Sequence, residues 1–135
     1  MQVKSIDHIH IYSSDPAASQ AFWERHFGAA RVFETRNAHD QAVHILQLGG
    51  HNLALSEFPP GETPAAPVVV DRLGREGQGF GGVMHLGFNV ADVAAAVAEL
   101  RAAGVKVHSE PAEAHGTIFA YVEAPDGVLI ELTQY

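Results

Sequence analysis

Histidines at equivalent positions of a repeated pattern are the first sign of chemistry in this sequence. His8 and His85 each stand near the start of an alternating apolar run, and an aspartate follows seven positions later in both cases. The offset between the histidines is 85 − 8 = 77, and the same offset separates Asp15 from Asp92. Imidazole is a common metal ligand, so two histidines at one repeated position favour a metal site over two unrelated structural histidines.

A carboxylate lies in an apolar stretch near the end of the sequence. Glu131 is flanked by Leu129, Ile130 and Leu132, in a segment that reads as a strand. An unpaired carboxylate is costly to bury there unless it is protonated, paired or bound to a cation, so it strengthens the case for a metal. At the 77-residue offset Glu131 matches Ala54, which means that the first half lacks this carboxylate.

Further polar side chains are predicted to share the face of the histidines and the carboxylate. Strand alternation puts His10 beside His8, and Tyr121 beside Glu131. The offset matches His44 with Tyr121, so His44 is predicted to face the same space. His10, His44, Tyr121 and Glu131 are therefore candidate acid–base groups beside a Lewis acid, and the alternative is that they only shape the pocket. Three other histidines, in predicted loops or strand ends, are assigned no chemistry: His39, His108 and His115.

The elements that position these residues follow one plan twice. Periodicity and capping signals predict, for each half, a strand, a helix and three further strands. The first half has strands at about 3–12, 30–35, 41–48 and 51–57 and a helix from Asp15-Pro16 to about Phe27, stopped by Gly28. The second has strands at about 83–90, 105–109, 116–123 and 128–134 and a helix from Asp92 to about Ala103. The sequence thus predicts a single domain, 1–135, with βαβββ module one at 1–57, a linker or lid at 58–82 and βαβββ module two at 83–135.

Composition limits the class of protein. With 135 residues, 47% of them hydrophobic, the chain can bury one sizeable core shared by the two modules. A net charge of −8, without a run of basic residues, argues against nucleic acid and anionic membrane and favours a small-molecule partner. The sequence has no cysteine, which excludes disulfides and thiolate chemistry. No signal-like region or membrane-spanning run is present, so a cytoplasmic protein is expected.

These features together resemble the vicinal oxygen chelate superfamily, which includes glyoxalase I, methylmalonyl-CoA epimerase, extradiol ring-cleaving dioxygenases, fosfomycin-resistance thiol transferases and bleomycin-resistance proteins. The resemblance is carried by the paired modules, by Asp7-His8-Ile9 and His85 at their openings, and by the closing stretch from Ala124 to Leu132. It implies an α+β fold, in which two tandem βαβββ modules form a cupped, mixed and mostly antiparallel sheet around a divalent metal.

Carried over residue by residue, the resemblance implies His8, His85 and Glu131 as the metal ligands. Ala54 stands where glyoxalases and epimerases of this type have a fourth ligand, Glu or Gln. Two histidines and one carboxylate leave coordination positions open and suit Fe, Mn, Ni, Co or Zn.

The function implied is that of a metal-dependent enzyme that chelates a small substrate through neighbouring oxygens, as a glyoxalase- or epimerase-like lyase or isomerase. Two alternatives, an extradiol-type dioxygenase and a fosfomycin-type transferase, use the same three ligands. The third is a metal-free drug- or metabolite-binding protein of the bleomycin-resistance kind. Members of this size usually pair, so a homodimer is expected.

Overall fold

The computed structural model describes residues 1–62 and 83–135. The chain divides into two compact units, Met1–Pro64 and Ala65–Tyr135, and each contains one of the predicted modules. Residues 63–82, most of the predicted linker or lid, lie outside the described residues. No helix in the described ranges is long and apolar enough to cross a membrane.

Unit one is a βαβββ module, as the sequence predicts. Its elements in chain order are β1 (His8–Tyr12), α1 (Pro16–Phe27), β2 (Ala30–Arg36), β3 (Ala42–Leu48) and β4 (His51–Ser56). The strands form one mixed sheet in the order β1-β4-β3-β2. β1 runs parallel to β4, and the other neighbouring strands are antiparallel.

Helix α1 begins and ends where the sequence predicts. The Asp15 carboxylate accepts a hydrogen bond from the backbone N–H of Ala18 at 2.9 Å, and Pro16 takes the first helical position, where no donor is lost. Gly28 has a φ of 66°, the left-handed conformation that stops the helix. Trp23 of the helix is buried, and α1 packs against β3 and β4 of its sheet.

Unit two repeats the plan. Its elements are β5 (Leu86–Asn89), α2 (Val93–Ala102), β6 (Ala112–Ala114), β7 (Thr117–Ala124) and β8 (Val128–Gln134). The sheet order is β5-β8-β7-β6, with β5 parallel to β8 and the other pairs antiparallel. The predicted α+β class and the tandem βαβββ modules are therefore confirmed.

One predicted strand of unit two is wrong. Within 105–109 only Val107 makes a bridge, to Val122, and the strand β6 forms instead at Ala112–Ala114. Pro111 separates the bridge from the strand, and proline has no N–H to give to a sheet ladder. The pairing with β7 is therefore broken at the proline and resumes after it.

Strand register supports the repeat for the strands that carry the candidate ligands. His10 pairs with Ala54 between β1 and β4, and Gly87 pairs with Glu131 between β5 and β8. Both members of the second pair lie 77 positions after those of the first. In unit one the larger, polar residue is His10 on the first strand and the small one is Ala54 on the last strand. In unit two the positions are reversed, with Gly87 on the first strand and Glu131 on the last.

The third strand of each unit does not follow the same offset. Ala54 pairs with Ile45 in unit one, whereas Glu131 pairs with Tyr121 in unit two, which is an offset of 76. The turn before β4 has two residues, Gly49 and Gly50, while the turn before β8 has the three residues Pro125–Gly127. This extra residue shifts the match between β3 and β7 by one position, which reverses the side on which a matched side chain lies.

Candidate functional site

The polar face of unit one is formed by alternate residues of its parallel strand pair. Its members are His8, His10 and Tyr12 of β1 and Asn52, Ala54 and Ser56 of β4. Leu53 and Leu55 of β4 point to the opposite side, toward the core. The predicted side-by-side position of His8 and His10 is thus found, and Ala54 shares their face.

His8 has one ring nitrogen engaged and one free. Its Nδ1 lies 2.7 Å from the carboxylate of Asp7, which is almost fully exposed. Because a carboxylate can only accept, this contact makes Nδ1 the protonated nitrogen and leaves the lone pair on Nε2. In metal sites, a carboxylate that accepts a hydrogen bond from the ring nitrogen not bound to the metal orients the histidine in this way.

His10 lies in the middle of the polar face. Its Nε2 is 2.8 Å from the hydroxyl oxygen of Ser56, and its ring centroid is 6.4 Å from that of His8 and 5.2 Å from that of Tyr12. Burial, followed by the nearby His8, lowers the pKa of His10 from its usual value. The ring therefore stays neutral near pH 7 and can accept a proton.

His44 does not share this face, and its predicted placement is wrong. In the ladder between β3 and β4 it pairs with Leu55, which puts it on the helix side of the sheet. Its Nδ1 lies 2.7 Å from the side-chain oxygen of Gln20 on α1. The cause is the one-residue difference in turn length, so His44 is structurally matched to Ala120 and not to Tyr121.

In unit two, Glu131 is held between two partners. The Tyr121 hydroxyl donates to Oε1 at 2.6 Å, and Nε2 of His85 lies 3.2 Å from Oε2. The side chains of His85 and Glu131 are only 27% and 22% exposed. Gly87, opposite Glu131, carries no side chain, and a Cβ built there would lie 4.0 Å from Oε2. The carboxylate is therefore oriented and remains accessible.

Tyr121 acts on Glu131 as a hydrogen-bond donor. Burial, the hydrogen bond to Glu131 and the charge of Glu131 raise the pKa of Tyr121 to about 12. The phenol consequently keeps its proton at neutral pH. The sequence suggested that Tyr121 acts as an acid–base group or only shapes the pocket, and this contact indicates a third role, the positioning of the Glu131 carboxylate.

The donor set of these residues fits a divalent metal. His85 Nδ1 is buried and has no hydrogen-bond partner among the described residues, an arrangement that costs about 1–3 kcal/mol in a folded protein. The Nε2 atom of the same ring converges on a carboxylate oxygen, and nitrogen with oxygen suits Mn, Fe, Co, Ni and Zn. Across 1–62 and 83–135, no group of three or more acidic or histidine side chains is already gathered tightly enough to hold a metal.

His108 is a residue of this face that sequence reasoning missed. Its side chain is only 6% exposed, and Nε2 lies 2.7 Å from the carboxylate of Glu123, which Lys106 also contacts at 3.1 Å. The bridge at Val107 places the His108 side chain on the same face as Tyr121. The alternation of polar and apolar residues at 106–108 could have predicted which face His108 lies on. It was not used, because His108 was taken to be a loop or strand-end residue.

Comparison with known families and proteins gives matches over almost the whole chain. The sequence profile of the Glyoxalase/Bleomycin resistance protein/Dioxygenase superfamily matches residues 5–132. Uncharacterized protein YaeR of Escherichia coli (strain K12) is 32% identical over 134 residues, covering 96% of this chain and 95% of YaeR.

Two solved structures show the same fold. The fosfomycin resistance protein FosX from Listeria monocytogenes, complexed with Mn(II) and sulfate ion, matches with a TM-score of 0.68 and 15% identity, covering 99% of this chain and 94% of FosX. TnmS3, an antibiotic binding protein from Streptomyces sp. CB03234, matches with a TM-score of 0.71 and 20% identity, covering 99% of this chain and 98% of TnmS3. At these identities the likeness concerns the fold.

Proposed function

The chain belongs to the Glyoxalase/Bleomycin resistance protein/Dioxygenase superfamily, and from that premise we propose that it is a metal-dependent enzyme acting on a small substrate. His8, His85 and Glu131 would hold a divalent ion, which would supply a chelation site for two neighbouring oxygens of the substrate. The reaction is of the glyoxalase or epimerase type, a lyase or isomerase reaction. The observation that carries the proposal is the oriented Glu131 carboxylate beside a histidine whose other nitrogen is buried without a partner.

The remaining polar side chains supply complementary roles. The chemistry that a bound metal would supply is Lewis-acid stabilisation of enolate or alkoxide charge on the substrate. His10, neutral because its pKa is lowered, accepts or returns the substrate proton from the polar face of unit one. Tyr121 holds Glu131 in place through its hydroxyl. Asp7 holds His8 with Nε2 free.

A second use of the same ligands is favoured by the small residue opposite His10. Ala54 offers no ligand atom, so an ion held by the three proposed ligands would keep more positions open than in a four-ligand site. Extradiol-type oxygenation and fosfomycin-type transfer both need such open positions, and FosX, which shares the fold, was solved with Mn(II). These reactions are the first alternatives to a lyase or isomerase.

A metal-free binding protein is favoured by a different observation. The rings of His10, Tyr12 and Phe58 form a row with centroid separations of 5.2 and 5.6 Å, and Tyr12 is 44% exposed. Such a row could stack on a planar ligand. TnmS3, with the same fold, is an antibiotic binding protein.

Elemental analysis of protein purified without chelator separates enzyme from binding protein. We expect about one divalent ion per chain, because two imidazoles and a carboxylate bind such ions tightly. His85→Ala should lose at least about 90% of it, since the ligand atom is removed. His44→Ala is the matched control, because it removes a histidine from the other side of a sheet. Full retention of metal in His85→Ala would contradict the proposed site.

Activity of the metal-loaded protein then separates the reaction classes. The substrate panel contains hydroxycarbonyls, carboxylate-carbonyl compounds, phosphonates and, with dioxygen, catechols. Turnover of a hydroxycarbonyl without dioxygen supports the lyase or isomerase. Ring cleavage of a catechol, or opening of the epoxide of an epoxyphosphonate by an added thiol, would replace the lyase or isomerase with one of the alternatives. Ligand binding without metal would establish the binding protein.

We also propose that the protein is located in the cytoplasm.

We further propose that the protein is a homodimer. β2 is an edge strand of its sheet, and its apolar side chains Val32 and Phe33 are 55% and 53% exposed. Exposed apolar groups on an edge strand favour cover by another chain. Light scattering at micromolar concentration should give twice the mass of one chain, and a monomer mass would contradict this expectation.

A further inference from the structure

The buried hydroxyl of Ser56 is hydrogen-bonded to the ring of His10. Ser56 is 0% exposed, and its Oγ has two partners, the Glu57 carbonyl oxygen at 3.1 Å and Nε2 of His10 at 2.8 Å. A hydroxyl has one proton to donate, and a carbonyl oxygen can only accept. The Ser56 proton therefore goes to Glu57, and Oγ is left to accept a hydrogen bond from His10.

The second nitrogen of His10 follows from this assignment. When Nε2 carries the proton, Nδ1 of the neutral ring carries the lone pair. Among the described residues nothing is hydrogen-bonded to Nδ1, and His10 as a whole is exposed on the polar face of unit one. The lone pair is therefore open to a proton on a bound molecule.

We propose that Ser56 is a positioning residue that fixes His10 in the Nε2-protonated tautomer, so that Nδ1 is the atom that takes the substrate proton. This inference rests on the proposed function, because it assigns the acceptor atom for that reaction. Ser56 itself touches no substrate and acts only through His10. In the proton transfer, the bond from the substrate carbon or oxygen to hydrogen breaks, the hydrogen joins Nδ1, and the electron pair stays on the substrate.

Nitrogen NMR of the histidine rings tests the tautomer without using activity. The full chain is labelled at the ring nitrogens, with and without zinc, and the His10 signals are identified by their loss in His10→Gln. The parent should show a bare Nδ1 and a protonated Nε2. Ser56→Ala should give averaged signals from both tautomers, whereas Ser56→Thr, which keeps a hydroxyl, should restore the parent pattern.

A matched control lies on the other side of the same sheet. Gln20→Ala removes the partner of His44 and should change the His44 signals while leaving those of His10 unchanged. A parent His10 protonated at Nδ1, or His10 signals in Ser56→Ala identical to those of the parent, would overturn the inference. A parent His10 protonated at Nδ1 would overturn the inference even if Ser56→Ala does not fold.

Kinetics provides the second readout. In Ser56→Ala, kcat should fall by the factor by which the NMR shows the bare-Nδ1 population to fall, about twofold if the two tautomers become equally populated, because only rings with a bare Nδ1 can take the proton. The KM and the metal content should remain at parent values. An unchanged kcat with a changed tautomer would overturn the role of Nδ1. Failure of the proposed function would show differently, as a parent without metal or turnover but with the same His10 tautomer.

Discussion

Glu131→Gln is expected to remove both the metal and the activity. Glutamine has the same shape and can still accept the hydrogen bond that the Tyr121 hydroxyl donates to Oε1. What it loses is the negative charge, which contacts His85 at 3.2 Å and which a divalent ion needs as its anionic ligand. We expect metal affinity to fall at least about 100-fold, and kcat/KM to fall with it. This loss is larger than the loss expected when a residue that only hydrogen-bonds to a metal ligand is removed.

The same substitution at Glu123 provides the matched control. Glu123 is a carboxylate on the same strand as Tyr121 and the same face of unit two, but its partners are His108 and Lys106. Glu123→Gln therefore removes an equal charge and should leave the metal content at the parent level. Metal content by elemental analysis after dialysis, and kcat/KM at saturating metal, are measured for both variants.

Tyr121→Phe separates charge from orientation. It keeps the charge of Glu131 and removes the hydroxyl that fixes Oε1, so metal affinity should fall by about 10- to 100-fold, less than in Glu131→Gln. Tyr12→Phe is its control, because no hydrogen bond to the Tyr12 hydroxyl occurs in the part of the chain that the structure describes. Equal metal binding in Glu131→Gln and the parent would remove Glu131 from the ligand set.

The fold could be predicted because its signals are local. Alternation of apolar and polar residues defines β1, β4, β7 and β8, and Asp15 and Asp92 each cap a helix by accepting a bond from the N–H three residues on. The offset found in the sequence also survives in the strand register, where His10 and Ala54 correspond to Gly87 and Glu131. Two strands that carry candidate ligands were therefore matched correctly without any structure.

The errors in the predicted face of His44 and in the predicted position of β6 each have a single residue as their cause. A turn that is shorter by one residue moves His44 to the helix side of its sheet, and the 77-residue offset cannot reveal this shift. Pro111 displaces β6, so the strand that was predicted to start at 105 is reduced to the bridge of Val107. The same bridge puts His108 on the face of Tyr121, whereas the sequence had suggested only a loop or strand-end residue without a chemical role.

The partners of the site residues were the least predictable part. His10 and Ser56 are 46 positions apart, and nothing in the sequence around Ser56 indicates that its hydroxyl reaches the ring. Tyr121 and Glu131 are joined by a tight hairpin, so their contact follows once the register is known. Contacts that depend on side-chain direction and on exact hydroxyl placement require coordinates, because a strand pattern gives only the face of each residue.

The last prediction concerns Ala54, the residue that the repeat matches to Glu131. Ala54 is 2% exposed, pairs with His10 on one side and Ile45 on the other, and shares the face of His8. Without metal, Ala54→Glu should lower the free energy of unfolding by about 1–3 kcal/mol, because a polar group is buried without a partner.

With metal the same variant should behave in the opposite way. If Glu131 and its repeat position face one ion, a carboxylate at position 54 becomes a fourth ligand, so added metal should stabilise the variant more than the parent and dissociate more slowly from it. Activity that needs an open coordination position should fall, because the new ligand competes with substrate oxygen. Ala54→Leu, which adds bulk without a ligand atom, is the control and should show the destabilisation but no additional response to metal.

Thermal unfolding of the parent and both variants, each with and without added metal, decides between these outcomes. A loss of about 1–3 kcal/mol in the metal-free glutamate variant corresponds to a fall in Tm of several degrees for a chain of this size, which is easily measured. Equal stabilisation by metal in Ala54→Glu and the parent would show that position 54 does not border the ion. The register of β1 and β4 would then still hold, and the error would lie in extending the repeat from strand pairing to the coordination of a metal.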